Sequence, residues 1–113
     1  MNCLTGLCAA ISLWLTTHGY EPFQRDAILK SLWVESRFEQ CVSGPSGMYL
    51  AQWAGIRLTY IHAHYPGCPP WEWQLERLDY ELRNEPAYGC FWKAHDYPAA
   101  YSAFRRGFEH GKC

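Results

Sequence analysis

The fold is decided by residues 18–58, which read HGYEPFQRDAILKSLWVESRFEQCVSGPSGMYLAQWAGIRL. A glycine-containing turn opens this stretch, and Pro22 follows as a favourable first residue for a helix. The segment from Ala27 to Val34 is apolar nearly all round, which is typical of a central, buried helix. Residues 40–52 interrupt the helical pattern with Ser, Gly and Pro. The stretch therefore predicts a buried helix from Pro22 to about Phe38, followed by a turn or short hairpin.

Helical periodicity continues on both sides of this stretch. Trp71, Leu75, Leu78 and Leu82 lie on one face of the clearest helix, which starts after a Pro-Pro pair. Near the end of the chain, Asp96 is a suitable N-cap residue for a last helix. The other predicted helices cover about residues 2–18, 55–65 and 86–94. The predicted fold class is mainly α, with about five helices and at most a short hairpin.

Composition and charge exclude several kinds of protein. A chain of 113 residues has room for one domain, which we place at residues 1–113, and 49% hydrophobic residues exclude intrinsic disorder. A net charge of −1 argues against a protein that binds nucleic acid through its phosphates. Residues 4–16 are apolar but shorter than the roughly 20 residues of a membrane span, so we expect a structural helix there, neither a span nor a targeting signal. The 6 Trp and 8 Tyr fit either a groove that stacks on sugar rings or an aromatic core.

Six cysteines form an even set that favours disulfides and an oxidising location. A turn between the first two helices would bring Cys41 back toward Cys3 or Cys8. Cys68 and Cys90 flank the helix that begins at Trp71 and would meet if the chain folds back along it. A zinc site is the alternative, but no Cys-x-x-Cys pair is present, so we expect neither a metal nor another cofactor. The disulfide candidates are Cys3, Cys8, Cys41, Cys68, Cys90 and Cys113.

Glu35 is an acidic residue on a helix face where apolar residues are expected, because it follows Ile28 and Leu32 at helical spacing. A carboxyl group held against apolar surface loses solvation, which raises its pKa and keeps it protonated. Such a group can donate a proton to a leaving oxygen, as the general acid of a glycosidase does. The alternative is a structural ion pair with Lys30, Arg37 or Arg57.

The broken stretch after Glu35 can supply the opposite wall of a groove. It runs from Ser43 through Ser46 and Gly47 to Gln52 and Trp53. The Gln52 amide can hydrogen-bond a sugar or peptide group. The Trp53 indole offers a stacking surface, although it fits a core position equally well.

Together these residues resemble the phage tail lysozymes and, more distantly, the lytic transglycosylases and other lysozyme-fold muramidases. Those families have a helix that leads into Glu-Ser and an aromatic residue, then a Ser/Gly turn and a Gly-Leu-x-Gln segment. The resemblance implies a small lysozyme-like domain that cleaves the β-1,4 bond between N-acetylmuramic acid and N-acetylglucosamine. The matching residues here are Glu35, Ser36, Phe38, Ser46, Gly47, Leu50, Ala51, Gln52, Trp53, Gly55 and Arg57.

The resemblance implies that Glu35 is the catalytic residue and that Gln52 lines the cleft. Ser36, Ser46, Tyr49 and Trp53 are further candidates for substrate binding. Tyr49 departs from the family pattern, because it stands where those families usually have a glycine. If that change makes the site degenerate, the chain is instead a non-catalytic wall-binding or structural module.

The reaction type depends on a second carboxylate, which a hydrolytic lysozyme generally needs. Residues 41–71 contain no Asp or Glu, and we expect Glu39, Glu72, Glu76, Asp79 and Glu81 to be solvated surface groups. A site with one acid fits lytic transglycosylation, so both routes stay open. The implied partners are peptidoglycan strands and other phage-tail or secretion-apparatus proteins. The implied location is a virion or the bacterial periplasm or cell wall, and a small disulfide-stapled toxin or inhibitor is the remaining alternative.

Overall fold

Helices make up most of the computed structural model, which describes residues 3–110 and the side chains of residues 3–107. That range holds six α-helices and one short hairpin, which confirms the predicted mainly α fold. None of the helices in it is long and apolar enough to cross a membrane. The elements in chain order are α1 (Gly6–Thr17), α2 (Pro22–Ser36), β1 (Ser43–Gly44), β2 (Gly47–Met48), α3 (Gly55–His64), α4 (Trp71–Asn84), a 3₁₀ turn (Pro86–Tyr88), α5 (Gly89–Lys93) and α6 (Tyr97–His110).

Helix α2 is the centre of the fold, as its apolar middle predicts. Its start is stabilised by Gln24, whose side-chain oxygen accepts a hydrogen bond from the Glu21 N–H at 2.9 Å. Ala27, Ile28, Leu29 and Leu32 are buried in the core. The helix ends at Ser36, two residues earlier than predicted, because Arg37 and Phe38 adopt left-handed backbone conformations with φ of 55° and 59°.

The hairpin is small and is held against α4 by one buried side chain. Strands β1 and β2 pair antiparallel, with Ser43 opposite Met48. The Gln74 side-chain oxygen accepts the Leu50 N–H at 2.9 Å. The Gln74 amide nitrogen donates to the carbonyl oxygens of Gln40 at 2.8 Å and Pro69 at 2.9 Å. Gln74 therefore fixes both ends of the hairpin segment on the start of α4.

Helix α6 packs along α2 and forms the other side of the structure. Its first turn is capped by Asp96, whose side chain accepts the Ala99 N–H at 2.9 Å, as the sequence predicts. Ala100 and Ala103 are buried, and their small side chains allow a close approach to α2. Phe104 packs in the core against Phe91 and Tyr88. This packing brings the outer face of α6 beside the carboxyl end of α2.

The cysteines of the described residues are oxidised as predicted, but the predicted pairings are wrong. Cys3 is bonded to Cys8, and Cys41 is bonded to Cys68. Cys41 does not return to α1, because residues 65–70 run back past Gln40 and place Cys68 beside it, with Cα atoms 5.5 Å apart. Cys90 is also disulfide-bonded, and Cys113 lies outside the described residues. Two such bonds are compatible with an oxidising, extracellular environment.

Candidate functional site

An open cleft of about 1010 Å³ lies between the end of α2 and the hairpin. One wall is formed by residues 34–37 and by Arg105 of α6. The opposite wall is formed by Gly44, Pro45, Ser46 and Gln52, with Ala54 to Arg57 at the start of α3. The carboxyl end of α2 and the hairpin thus face each other across the cleft.

Glu35 lies in this cleft, one residue before the end of α2. Its side chain is 13% exposed, and its Oε1 accepts a hydrogen bond from Arg105 Nη1 at 2.5 Å. The alternative interpretation of Glu35 as part of a structural ion pair predicts Lys30, Arg37 or Arg57 as its partner, but the pair is made by Arg105. The Arg37 guanidinium lies over the Trp33 ring at 4.4 Å instead. Arg105 is seventy residues away in the chain, so no local pattern indicates the pair.

Gln52 faces Glu35 from the hairpin side of the cleft. It is buried, its φ is 52°, and its amide nitrogen donates to the Tyr49 carbonyl oxygen at 3.1 Å. Its side-chain oxygen lies beside Gly44, where an added Cβ would stand 2.7 Å away. The glycine at position 44 therefore makes room for this amide, which is held in one orientation in the cleft wall.

The two candidate serines also line the cleft, but they differ in what they can offer a ligand. Ser36 is buried, and its hydroxyl donates to the Leu32 carbonyl oxygen at 3.0 Å. Ser46 is exposed at the tip of the hairpin. Ser46 is accordingly the serine whose hydroxyl can reach a bound molecule.

Tyr49 and Trp53 do not line the cleft but lie behind its hairpin wall. Trp53 is fully buried, and its indole N–H donates to Glu81 at 3.0 Å. Of the two roles open from the sequence, the structure places Trp53 in the core. Tyr49 is buried with φ of 71°, and its hydroxyl lies 3.1 Å from His62 Nε2. Both side chains support the wall from inside.

A second carboxylate, that of Glu39, lies in the same cleft and is exposed. The expectation that the remaining acids are solvated is wrong for Glu81, which is 1% exposed on the inner face of α4. Glu81 accepts hydrogen bonds from the Arg57 guanidinium. Asp79 is also partly covered, because the Tyr20 hydroxyl donates to it at 2.5 Å.

Arg57 connects the cleft to the buried Glu81. Burial by itself lowers the pKa of Arg57, but hydrogen bonds and charge from Glu81 and Tyr88 raise the pKa above its ordinary value. The guanidinium is therefore a fixed positive charge in the hairpin-side wall of the cleft. Apart from the position of Arg57 shortly after the Gln-Trp pair, nothing in the sequence indicates that Arg57 pairs with the buried Glu81.

Among the described residues, no group of three or more His, Cys, Asp or Glu side chains could hold a metal ion.

Comparison with known proteins finds no matching family model, no matching curated protein and no matching solved structure.

Proposed function

We propose that this protein is a peptidoglycan glycosidase that cleaves the β-1,4 bond between N-acetylmuramic acid and N-acetylglucosamine. The observation that carries the proposal is the position of Glu35, which is largely buried at a helix end yet opens into a cleft of about 1010 Å³. An acid in that position can donate a proton to the oxygen of a bound glycosidic bond. The oriented Gln52 amide in the opposite wall can hold a sugar group near it.

The backbone at Tyr49 also supports the proposal. A φ of 71° is a left-handed conformation that glycine adopts readily and tyrosine adopts at a cost. The families that this chain resembles usually have glycine at the corresponding position. Tyr49 thus adopts a conformation that a glycine would take without that cost, so the backbone at this position is compatible with the glycine of those families.

Two reaction routes follow from the carboxylates in the cleft. In hydrolysis, Glu39 is the candidate for the second carboxylate, because it lines the same cleft as Glu35. In lytic transglycosylation, Glu35 acts alone, first as acid and then as base, and a hydroxyl of the muramyl sugar closes a 1,6-anhydro ring. The masses of the products distinguish the routes, since hydrolysis leaves reducing ends and transglycosylation leaves anhydro-muramyl ends. Loss of activity in Glu39→Gln would favour hydrolysis.

The proposed setting is a phage particle or a secretion machine that opens the cell wall locally. The disulfides are compatible with this setting, because the enzyme would act outside the reducing cytosol. Other tail or secretion-apparatus proteins would then be its partners.

The test is lysis of purified peptidoglycan by the parent protein and by Glu35→Gln. This substitution keeps the size of the side chain but removes the proton, so turnover should fall by about 10²–10⁴ while the melting temperature is retained. Glu76→Gln on the exposed face of α4 is the matched control and should lyse at the parent rate. A folded Glu35→Gln protein that lyses at the parent rate would show that the assignment is wrong.

A non-catalytic wall-binding module is the second candidate, and the ion pair between Glu35 and Arg105 favours it. An acid that forms an ion pair with an arginine of another helix has a structural role that does not require catalysis. This candidate predicts that the parent protein and Glu35→Gln sediment equally with peptidoglycan and that neither releases soluble fragments.

A further inference from the structure

A second cavity of about 410 Å³ lies beside the cleft, between α3, α4 and the 3₁₀ turn. This cavity, called the side pocket below, has a volume typical of pockets that bind small molecules. Ile56, Tyr60 and Ala87 give it apolar surface. Arg57 lines both the side pocket and the cleft, so the two adjoin at the start of α3.

Arg77 of α4 lines the side pocket with a guanidinium whose hydrogen-bonding capacity is not fully used. Its side chain is 13% exposed, and its Nε is buried without a hydrogen-bond partner among the described residues. Glu81 Oε2 lies 3.6 Å from this Nε, which is beyond hydrogen-bond distance. The guanidinium carbon lies 3.8 Å from the centre of the Tyr60 ring, which holds it in place. Because a buried donor without a partner costs free energy, a ligand that accepts hydrogen bonds would be stabilised here.

The charges of the side pocket favour an anionic ligand group. The guanidiniums of Arg57 and Arg77 share the buried carboxylate of Glu81, which leaves an excess of positive charge. Glu81 already accepts hydrogen bonds from Arg57 and from the Trp53 indole. Glu85 also lines the pocket, but it is exposed and water screens its charge. A carboxylate is the group that best matches the paired N–H donors of a guanidinium.

We propose that the side pocket binds the carboxylate of a peptide branch while the glycan strand lies in the cleft. This inference rests on the proposed function, because the muramyl sugars of peptidoglycan carry short peptides with carboxylate groups. Arg77 donates to that carboxylate. The exposed side chains of Ile56 and Tyr60 contact the apolar part of the peptide. Arg77 thus makes the protein prefer strands with peptides over bare glycan.

The experiment measures the binding of N-acetyl-alanyl-alanine and of its C-terminal amide by NMR shift titration. The acid should bind the parent protein more tightly than the amide does. In Arg77→Gln, the affinity for the acid should fall by about 10- to 100-fold, toward that of the amide. Lys30→Gln is the matched control, because it removes one positive charge from an exposed position that lines neither cavity, and it should bind the acid as the parent does. Equal affinities of the parent for acid and amide, or an unchanged affinity in Arg77→Gln, would overturn the proposal.

Ile56→Glu keeps the proposal testable if Arg77→Gln does not fold. Ile56 is 86% exposed in the first turn of α3, where a helix tolerates negative charge well. The new carboxylate would stand at the pocket and repel the acid, so binding of the acid should weaken and binding of the amide should not. Equal binding of the acid by this variant and the parent would contradict the proposal.

A second measurement separates the side pocket from the proposed function. Cleavage rates are compared on glycan strands with their peptides and on strands from which an amidase has removed them. The parent should cleave the peptide-bearing strands faster, and Arg77→Gln should reduce this preference. Binding of the acid through Arg77 without cleavage of either strand would support the side pocket and refute the enzyme. Equal cleavage of both strands, with equal binding of acid and amide, would support the enzyme and refute the side pocket.

Discussion

Replacement of Glu81 tests how the hairpin-side wall of the cleft is held in place from the core. Its carboxylate is 1% exposed and lies 3.0 Å from both the Trp53 indole nitrogen and Arg57 Nε. Arg77 Nε is 3.6 Å away on the same helix. Replacing Glu81 with Gln keeps the shape and leaves an acceptor for the indole, but it removes the only negative charge among these four side chains.

The size of the effect follows from the exposure of the two arginines. Breaking a buried ion pair by removing one partner costs about 3–5 kcal/mol. Arg57 and Arg77 are 27% and 13% exposed, so water partly solvates the charges that remain. The lower end of the range, about 3 kcal/mol, is therefore expected for Glu81→Gln. At about 2.1 cal/mol/K of unfolding entropy per residue, that loss lowers the melting temperature of a domain of this size by roughly 13 °C.

Urea and thermal unfolding, followed by circular dichroism at neutral pH, measure this loss. Glu85→Gln is the matched control, because Glu85 lies one turn further along and is exposed. Its stability should stay within about 0.5 kcal/mol of the parent. If Glu81→Gln also stays within that margin, the ion pairs of Glu81 do not stabilise the fold and the reasoning fails.

Two further predictions concern stability elsewhere in the fold. Burial raises the pKa of Tyr88 from 10.0 to about 12. The free energy of unfolding that the neutral Tyr88 hydroxyl contributes is therefore complete below pH 10 and is lost as the pH rises through 12. Urea unfolding should show a loss of about 1.4 kcal/mol between pH 9 and 11 that is absent from Tyr88→Phe, and parallel curves would contradict this. Replacing Cys41 and Cys68 together with serine should cost about 3–4 kcal/mol, because their bond spans 27 residues of sequence separation. The pair Cys3 and Cys8, with a separation of 5, should cost about 2 kcal/mol, and equal melting temperatures for the two double variants would contradict the loop-length argument.

The helices were predictable because their signals are local. Pro22 and Asp96 mark the beginnings of α2 and α6, and the apolar spacing from Trp71 to Leu82 marks α4. Each of these signals acts within one or two helical turns of the chain. The errors were at ends, as at Arg37 and Phe38, where a left-handed backbone stops α2 before the apolar pattern does.

The disulfides and the buried acid were not predictable in the same way. The sequence left several cysteines open as partners of Cys41. The path of residues 65–70, which run back past Gln40, brings Cys68 beside Cys41. Glu81 follows the charge pattern of an exposed helix face, yet the rotation of α4 turns it toward Trp53 and Arg57. Such choices depend on how elements pack, which no short window of sequence contains.

The sequence by itself determined a mainly α chain with one short hairpin, and it singled out Glu35 and Gln52 as residues of two facing walls. Apolar periodicity and turn residues are sufficient for the fold class. The choice of Glu35 and Gln52 also depended on the resemblance to the lysozyme-fold families. Only the tertiary structure decided that Arg105 pairs with Glu35 and that Trp53 points inward. The physical reason is that the direction of a side chain toward a partner seventy residues away depends on the angle and rotation at which α6 packs on α2.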